Sequence, residues 1–227
     1  MLIYQKRPFH AIRAIIFDMD GTLIDSIDVY HAILKDVMEC LGMELTSSRE
    51  ILFESLSQGK RLSDIIFPPD LENRRRIVEQ FNALAIDAFK ETFLRGKVEL
   101  IDGVSRVLDE LKGRGFSLAI VTSSMTEVVV PFLKGKNLYS YLNCVLGRTE
   151  VPQLKPSPEP LLKCMEILSV EPRETIYVGD SAVDIQAGKA AGVWTVGVLT
   201  GASDLILLKA EAPDAILHSM GDLLTIL

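Results

Sequence analysis

The stretch Ile15-Ile16-Phe17-Asp18-Met19-Asp20-Gly21-Thr22-Leu23 decides how this chain is expected to fold. A branched apolar run, the signature of a buried strand, leads straight into two carboxylates and a glycine. At the carboxyl end of a parallel strand, carboxylates face the crevice in which open α/β sheets bind ligands, and Gly21 allows the sharp turn that gathers both. Taken alone, the same residues are an ordinary strand-end turn, because Asp and Gly favour turns.

The rest of the chain supplies the sheet. Apolar runs of strand length recur at Leu118–Val121, Cys144–Leu146, Ile176–Val178, Thr195–Val198 and Ala215–Leu217, separated by amphipathic stretches of helical length. With Ala14–Phe17 they predict an α/β fold, a Rossmann-like parallel sheet flanked by helices. Between about Ser26 and Gly96 the pattern is helical throughout, so an all-α insertion follows the first strand. The expected division is a core of residues 1–25 and 96–227 and a helical unit of residues 26–95. Within the insertion, helices are predicted over Asp28–Leu41, ending at Gly42, and over Leu71–Leu94, ending before Gly96, with a break at Ser57–Lys60 and Pro68-Pro69. Past it, Asp102 is placed to cap a helix over Val104–Lys112, and Pro131 predicts a kink or late start in the helix that follows.

Composition limits the partners. The 227 residues are 48% hydrophobic and 24% charged, enough for a substantial core. The 24 basic against 31 acidic residues give a net charge of −7, so the surface field repels polyanions and nucleic acid is not an expected partner. No apolar run approaches the roughly 18 residues of a membrane helix, and the first residues lack the apolar centre of a signal peptide; a cytoplasmic protein is expected. Cys40, Cys144 and Cys164 have no paired spacing and are read as core filling. His10, His31 and His218 have no ligand spacing, and Trp194 is read as packed.

Three more strand ends carry polar groups. Asp180, in Tyr177-Val178-Gly179-Asp180-Ser181, repeats the pattern of Asp18, and Asp184 follows about one helical turn later. Asp18, Asp20, Asp180 and Asp184 gathered at one sheet edge would repel one another unless a hard cation with oxygen ligands joined them. Asp184 also suits a helix N-terminus. Val121 leads into Thr122-Ser123-Ser124, whose hydroxyls and N–H groups suit a phosphoryl group, although such residues also cap helices. Lys155 sits in a proline-stiffened Lys-Pro-Ser-Pro-Glu-Pro segment.

In order and position this set resembles the haloacid dehalogenase superfamily: Asp18-Met19-Asp20-Gly21-Thr22, Thr122, Lys155, and Gly179-Asp180 with Asp184. The likeness runs from about Ala14 to the C-terminus, with the helical insertion where that family carries its type 1 cap. It implies a nucleophilic Asp18 that takes up the phosphoryl group, and an Asp20 that protonates the leaving oxygen and then deprotonates water. It also implies Thr122 and Lys155 at the transferring group, and Mg²⁺ held by the Asp18 carboxylate, the Asp20 carbonyl and Asp180, with Asp184 acting directly or through water. An acid at position 20 points to phosphoester chemistry. Thr22 looks more like phosphoglycolate phosphatases than β-phosphoglucomutase. The expected activity is therefore hydrolysis of a small phosphorylated metabolite, 2-phosphoglycolate first. A sugar-phosphate mutase and a non-catalytic phosphate- or metal-binding regulator are the alternatives. For substrate binding, Thr22, Ser123, Lys60 and Arg61 are the candidates, the last two on a cap loop of Ser57-Gln58-Gly59-Lys60-Arg61. The charge run Arg74-Arg75-Arg76 is read as a solvated helix face.

Overall fold

The computed structural model describes residues 2–6, 9–57 and 60–227. In chain order the elements are β1 (Leu2–Gln5), β2 (Ala14–Phe17), β3 (Ile24–Asp25), α1 (Ile27–Cys40), α2 (Arg49–Ser57), α3 (Leu62–Ile66), α4 (Arg74–Leu94) and β4 (Glu99–Leu100). There follow α5 (Val104–Gly113), β5 (Ser117–Val121), α6 (Thr126–Gly135), β6 (Cys144–Leu146), α7 (Glu159–Leu168), β7 (Thr175–Gly179), α8 (Ala182–Ala191), β8 (Trp194–Val198), α9 (Leu205–Ala210) and β9 (Ala215–Leu217).

Seven strands form one sheet in the order β1-β9-β8-β7-β2-β5-β6. All neighbours are parallel except β1, which pairs antiparallel with β9 at the edge. β2 is buried at every position, as a strand covered on both faces must be, which is why its sequence is continuously apolar rather than alternating. The chain leaves β2 for β5 on one side and returns to β7 on the other, so the crevice opens above β2. Register then does the placing. Phe17 lies opposite both Ile120 and Val178, which sets Asp18 level with the ends of β5 and β7.

The helical insertion is tied on by a second, two-stranded antiparallel sheet, with Ile24 opposite Leu100 and Asp25 opposite Glu99. These two-residue strands were too short to register as sequence patterns. Between them, α1 to α4 bury an apolar cluster of their own around Leu34, Met38, Leu52, Phe67 and Phe81. Ala202, from the loop after β8, packs against that cluster from the core side.

Three expectations about helix ends change. The helix over 71–94 begins only at Arg74, because Asn73 adopts a left-handed conformation (φ 55°) that stops helix growth toward the prolines. Gly103, not Asp102, is the N-cap of α5, at φ 81°. Pro131 lies inside α6, which nonetheless starts at Thr126. The first arginine of the Arg74-Arg75-Arg76 run is half-buried, donating to the Ser63 carbonyl and Asp64, while Arg75 and Arg76 are exposed. Cys164 is buried and Cys144 partly so, but Cys40 is exposed at the end of α1 and fills no core space. Trp194 packs edge-on against Phe9 and donates its indole N–H to the Arg173 carbonyl.

Candidate active site

Asp18 is the first residue beyond β2 and is buried, its N–H donating to the Val178 carbonyl across the strand ends. Lys155 reaches it from the segment before α7. The Lys155 ammonium donates to Asp18 Oδ1 at 2.6 Å, to Asp184 Oδ1 at 2.6 Å and to the Tyr177 hydroxyl at 3.0 Å. Asp180 accepts from Thr22 Oγ1 at 3.1 Å and from the Ala202 N–H at 2.7 Å. Asp184 performs two tasks at once. Its Oδ2 accepts from the N–H and hydroxyl of Ser181 in the capping box that starts α8, while its Oδ1 holds Lys155. One carboxylate thus both starts α8 and holds Lys155.

Backbone geometry allows this crowding at two glycines. Gly21 takes φ +76°, and a Cβ there would lie 2.5 Å from Asp180 Oδ2; at Gly201 it would lie 2.0 Å from the same atom. Both positions therefore exclude any side chain. The Thr200 hydroxyl closes the arrangement by donating to the Gly21 carbonyl at 2.7 Å.

Asp18, Asp180 and Asp184 offer carboxylate oxygens that all lie within 4.8 Å of one another, and all three are buried. One ammonium faces three acids. Burial, only partly offset by Lys155 and reinforced by the charges of Asp184, Asp180 and Asp20, pushes the Asp18 carboxyl well above its ordinary range. Burial and the charge of Asp184 push Asp180 up to about 7. Burial opposes the charge on Lys155, yet the attraction of Asp18 and Asp184 holds its ammonium well above its usual value. The negative charge in excess, presented on oxygen donors alone, is what a hard divalent cation neutralises.

Above these residues lies a cavity of about 640 Å³ between the sheet edge and the helical insertion. Asp18, Asp20, Ser123, Lys155, Asp180 and Arg148 line it from the core, and Tyr30, Leu62, Asn82, Ile86 and Phe89 from the insertion. Ser123, a candidate for substrate binding, lines this space. Thr22 and Thr122 do not line it: both are buried, Thr22 bonded to Asp180, and Thr122 accepting from the Ser124 N–H. Thr22 thus supports an acid rather than touching a substrate. Lys60 and Arg61 line a separate depression with Ser55, Asp64 and Ile65. Gln58 and Gly59 of that loop lie outside the described residues.

The sequence matches the family described as haloacid dehalogenase-like hydrolase over residues 15–198. The chain belongs to that family. A phosphoglycolate phosphatase of Aquifex aeolicus (strain VF5) is 31% identical to it over 219 residues, covering 95% of this chain and 97% of its own. Pyrophosphatase PpaX of Anoxybacillus flavithermus (strain DSM 21510 / WK1) is 33% identical over 217 residues, with coverage of 95% and 97%. In fold, the chain superposes with a TM-score of 0.84 and 25% identity on a crystal structure described as a predicted phosphoglycolate phosphatase from Haemophilus somnus 129PT, covering 95% and 98% of the two chains. No helix among the described residues is long and apolar enough to cross a membrane.

Four features of this hydrolase escaped the sequence. Tyr177 faces the site from inside β7, its hydroxyl donating to Asp184 Oδ1 at 2.9 Å; among the apolar residues of a strand nothing distinguished it. Arg148 lies two residues beyond β6, and its placement at a strand end was the available signal. The same signal was present in Thr200-Gly201-Ala202, just past β8. The fourth, a hydrogen-bonded link from Tyr30 to Asp20, joins residues remote in sequence.

Proposed function

We propose that this hydrolase is a Mg²⁺-dependent phosphomonoesterase that works through an aspartyl phosphate on Asp18 and acts on a small phosphorylated metabolite. The observation that carries the reading is the buried Asp18, held 2.6 Å from Lys155 in the same cluster as Asp180 and Asp184, with Asp20 two residues on. The Asp18 carboxylate attacks phosphorus, forming its own bond as the bond to the leaving oxygen breaks. Asp20 gives that oxygen its proton, then takes one from the water that opens the acyl phosphate. A carboxylate meeting a phosphate dianion is opposed by charge, and Lys155 offsets part of that repulsion while fixing the direction of attack. Ser123 offers its hydroxyl to the phosphoryl oxygens. Asp18, Asp180 and the Asp20 carbonyl are the groups that would hold Mg²⁺, with Asp184 beside them acting directly or through water while its Oδ1 also holds Lys155. When bound, the ion supplies Lewis-acid neutralisation of the transferring group.

Among substrates, 2-phosphoglycolate comes first, in line with the relatives that carry that name, and pyrophosphate second. Either bears an anionic group besides the phosphoryl group transferred. Among the described residues Arg148 is the cation besides Lys155 that lines the cavity, whereas Lys60 and Arg61 line a different depression. Release of free phosphate from a panel of phosphomonoesters tests the reading. Hydrolysis is expected with Mg²⁺ and without any sugar bisphosphate primer; a requirement for that primer would make the enzyme a mutase, and no release from any ester would refute phosphatase activity. Within the panel, Arg148→Ala is expected to raise KM for 2-phosphoglycolate about tenfold, the loss of one charge-assisted hydrogen bond. With Lys60→Ala it should change less than about twofold. The reverse order would return substrate recognition to the 57–61 loop.

A further inference from the structure

Three hydroxyl and carboxyl groups form a chain across the boundary between the helical insertion and the core. The Tyr30 hydroxyl, on α1, lies 3.3 Å from Ser124 Oγ, and Ser124 Oγ donates to Asp20 Oδ2 at 2.9 Å. Serine has one hydroxyl proton. With that proton donated in the hydrogen bond to Asp20 Oδ2, the remaining bond is made by Tyr30 donating to Ser124, so the chain has a direction: Tyr30 to Ser124 to Asp20.

Both intermediaries are held still. The Ser124 N–H donates to Thr122 Oγ1 at 3.1 Å, and the Ser124 carbonyl accepts from the Arg148 N–H at 3.0 Å. Its hydroxyl is not spent on the following helix, since Met125 is the N-cap of α6. The Tyr30 ring packs edge-on against Phe89 at 4.6 Å and near-parallel to Phe93 at 6.1 Å. Burial, with the charge of Asp20 adding to it, raises the Tyr30 hydroxyl well above its ordinary value and keeps it a donor. Asp20 lines the cavity, and its other oxygen, Oδ1, is buried with no hydrogen-bond partner among the described residues.

We infer that Tyr30 and Ser124 are positioning residues for the leaving-group acid: they anchor Asp20 Oδ2 and so leave Oδ1 as the oxygen that carries the proton to the substrate. This rests on the phosphatase reading and deepens it. As the bond from phosphorus to the leaving oxygen breaks, the proton passes from Asp20 Oδ1 to that oxygen, and the new carboxylate is already hydrogen-bonded at Oδ2. Tyr30 and Ser124 keep their own protons. Because Tyr30 belongs to the insertion and Ser124 to the core, Asp20 is set in place only while the two are apposed.

An acid matters in proportion to how badly the leaving group needs its proton. The test therefore compares kcat/KM, which reports the steps through release of the leaving alcohol, for two kinds of ester. 2-Phosphoglycolate and glycerol 2-phosphate leave as alkoxides that need the proton, whereas p-nitrophenyl phosphate leaves as a stable phenolate. Ser124→Ala is expected to cut kcat/KM on the alkyl esters about 30-fold or more, in the range of a misplaced catalytic group. On p-nitrophenyl phosphate the loss should stay under about threefold. Tyr30→Phe should show the same selectivity more weakly, and Ser124→Thr, which keeps the hydroxyl, should restore alkyl ester turnover. Equal losses on both kinds of ester, or no loss on either, would overturn the assignment. If the unaltered protein cleaves neither kind, it is the phosphatase reading that fails.

Discussion

Asp18→Asn is expected to lower phosphatase activity on every ester by a factor on the order of 10⁴ to 10⁶, the range in which loss of a nucleophile falls. The amide has the shape of the carboxylate and its burial, but no anionic oxygen to bond to phosphorus. Folding should survive, because the substitution removes one of three buried acids that face a single ammonium, and so relieves repulsion from Asp180 and Asp184. Steady-state phosphate release, alongside circular dichroism to verify the fold, decides the matter. Activity within about tenfold of the unaltered enzyme, far short of what a missing nucleophile costs, would mean that water attacks the ester directly and that Asp18 only binds.

Lys155→Met is the second large effect. Its ammonium is bonded to Asp18, Asp184 and Tyr177, so the substitution strands two buried carboxylates and removes the cation beside the transferring group. A loss of about 10³-fold in kcat is expected, as for the removal of a preorganised group that stabilises developing charge. Breaking a buried pair by removing one partner typically costs about 3–5 kcal/mol, so the melting temperature should fall as well. Lys155→Arg should recover stability better than activity, because the planar guanidinium cannot take the place of a compact ammonium between two oxygens. Unchanged kcat in a folded Lys155→Met protein would remove Lys155 from the chemistry.

Much of this was legible in the residues. The strands showed because buried parallel strands are continuously apolar, and the acids because carboxylates at the ends of such runs are conspicuous. What stayed hidden had no local signature. β1 is a short edge strand of mixed character, half-exposed and placed only by its pairing with β9. The two-residue strands β3 and β4 exist only through each other. Tyr177 looked like core because aromatic residues inside strands usually are, and only the register of β7 against β2 turns its hydroxyl to Lys155. Lys60 and Arg61 drew attention as exposed charge on a loop, whereas Arg148, a single cation two residues past a strand, lines the cavity together with Lys155. Placement at strand ends proved the more informative signal, and charge density in the insertion the less.

The buried acids also set a pH dependence whose sign follows from their raised values. Between the ordinary 3.8 and about 7, folded Asp180 holds a proton that the unfolded chain has released. Stability of the metal-free protein therefore falls as pH rises through that window. A cation reverses the preference, since it requires the ionised carboxylate. Calorimetric titration of Mg²⁺ into chelator-stripped protein reads this most directly. Saturable binding of a single ion is expected, tightening as pH rises through about 7 and weakened at least tenfold, the effect of losing one ligand, in Asp180→Asn. Absence of binding at every pH, with phosphate release undiminished in the stripped protein, would contradict a cation held between Asp18 and Asp180.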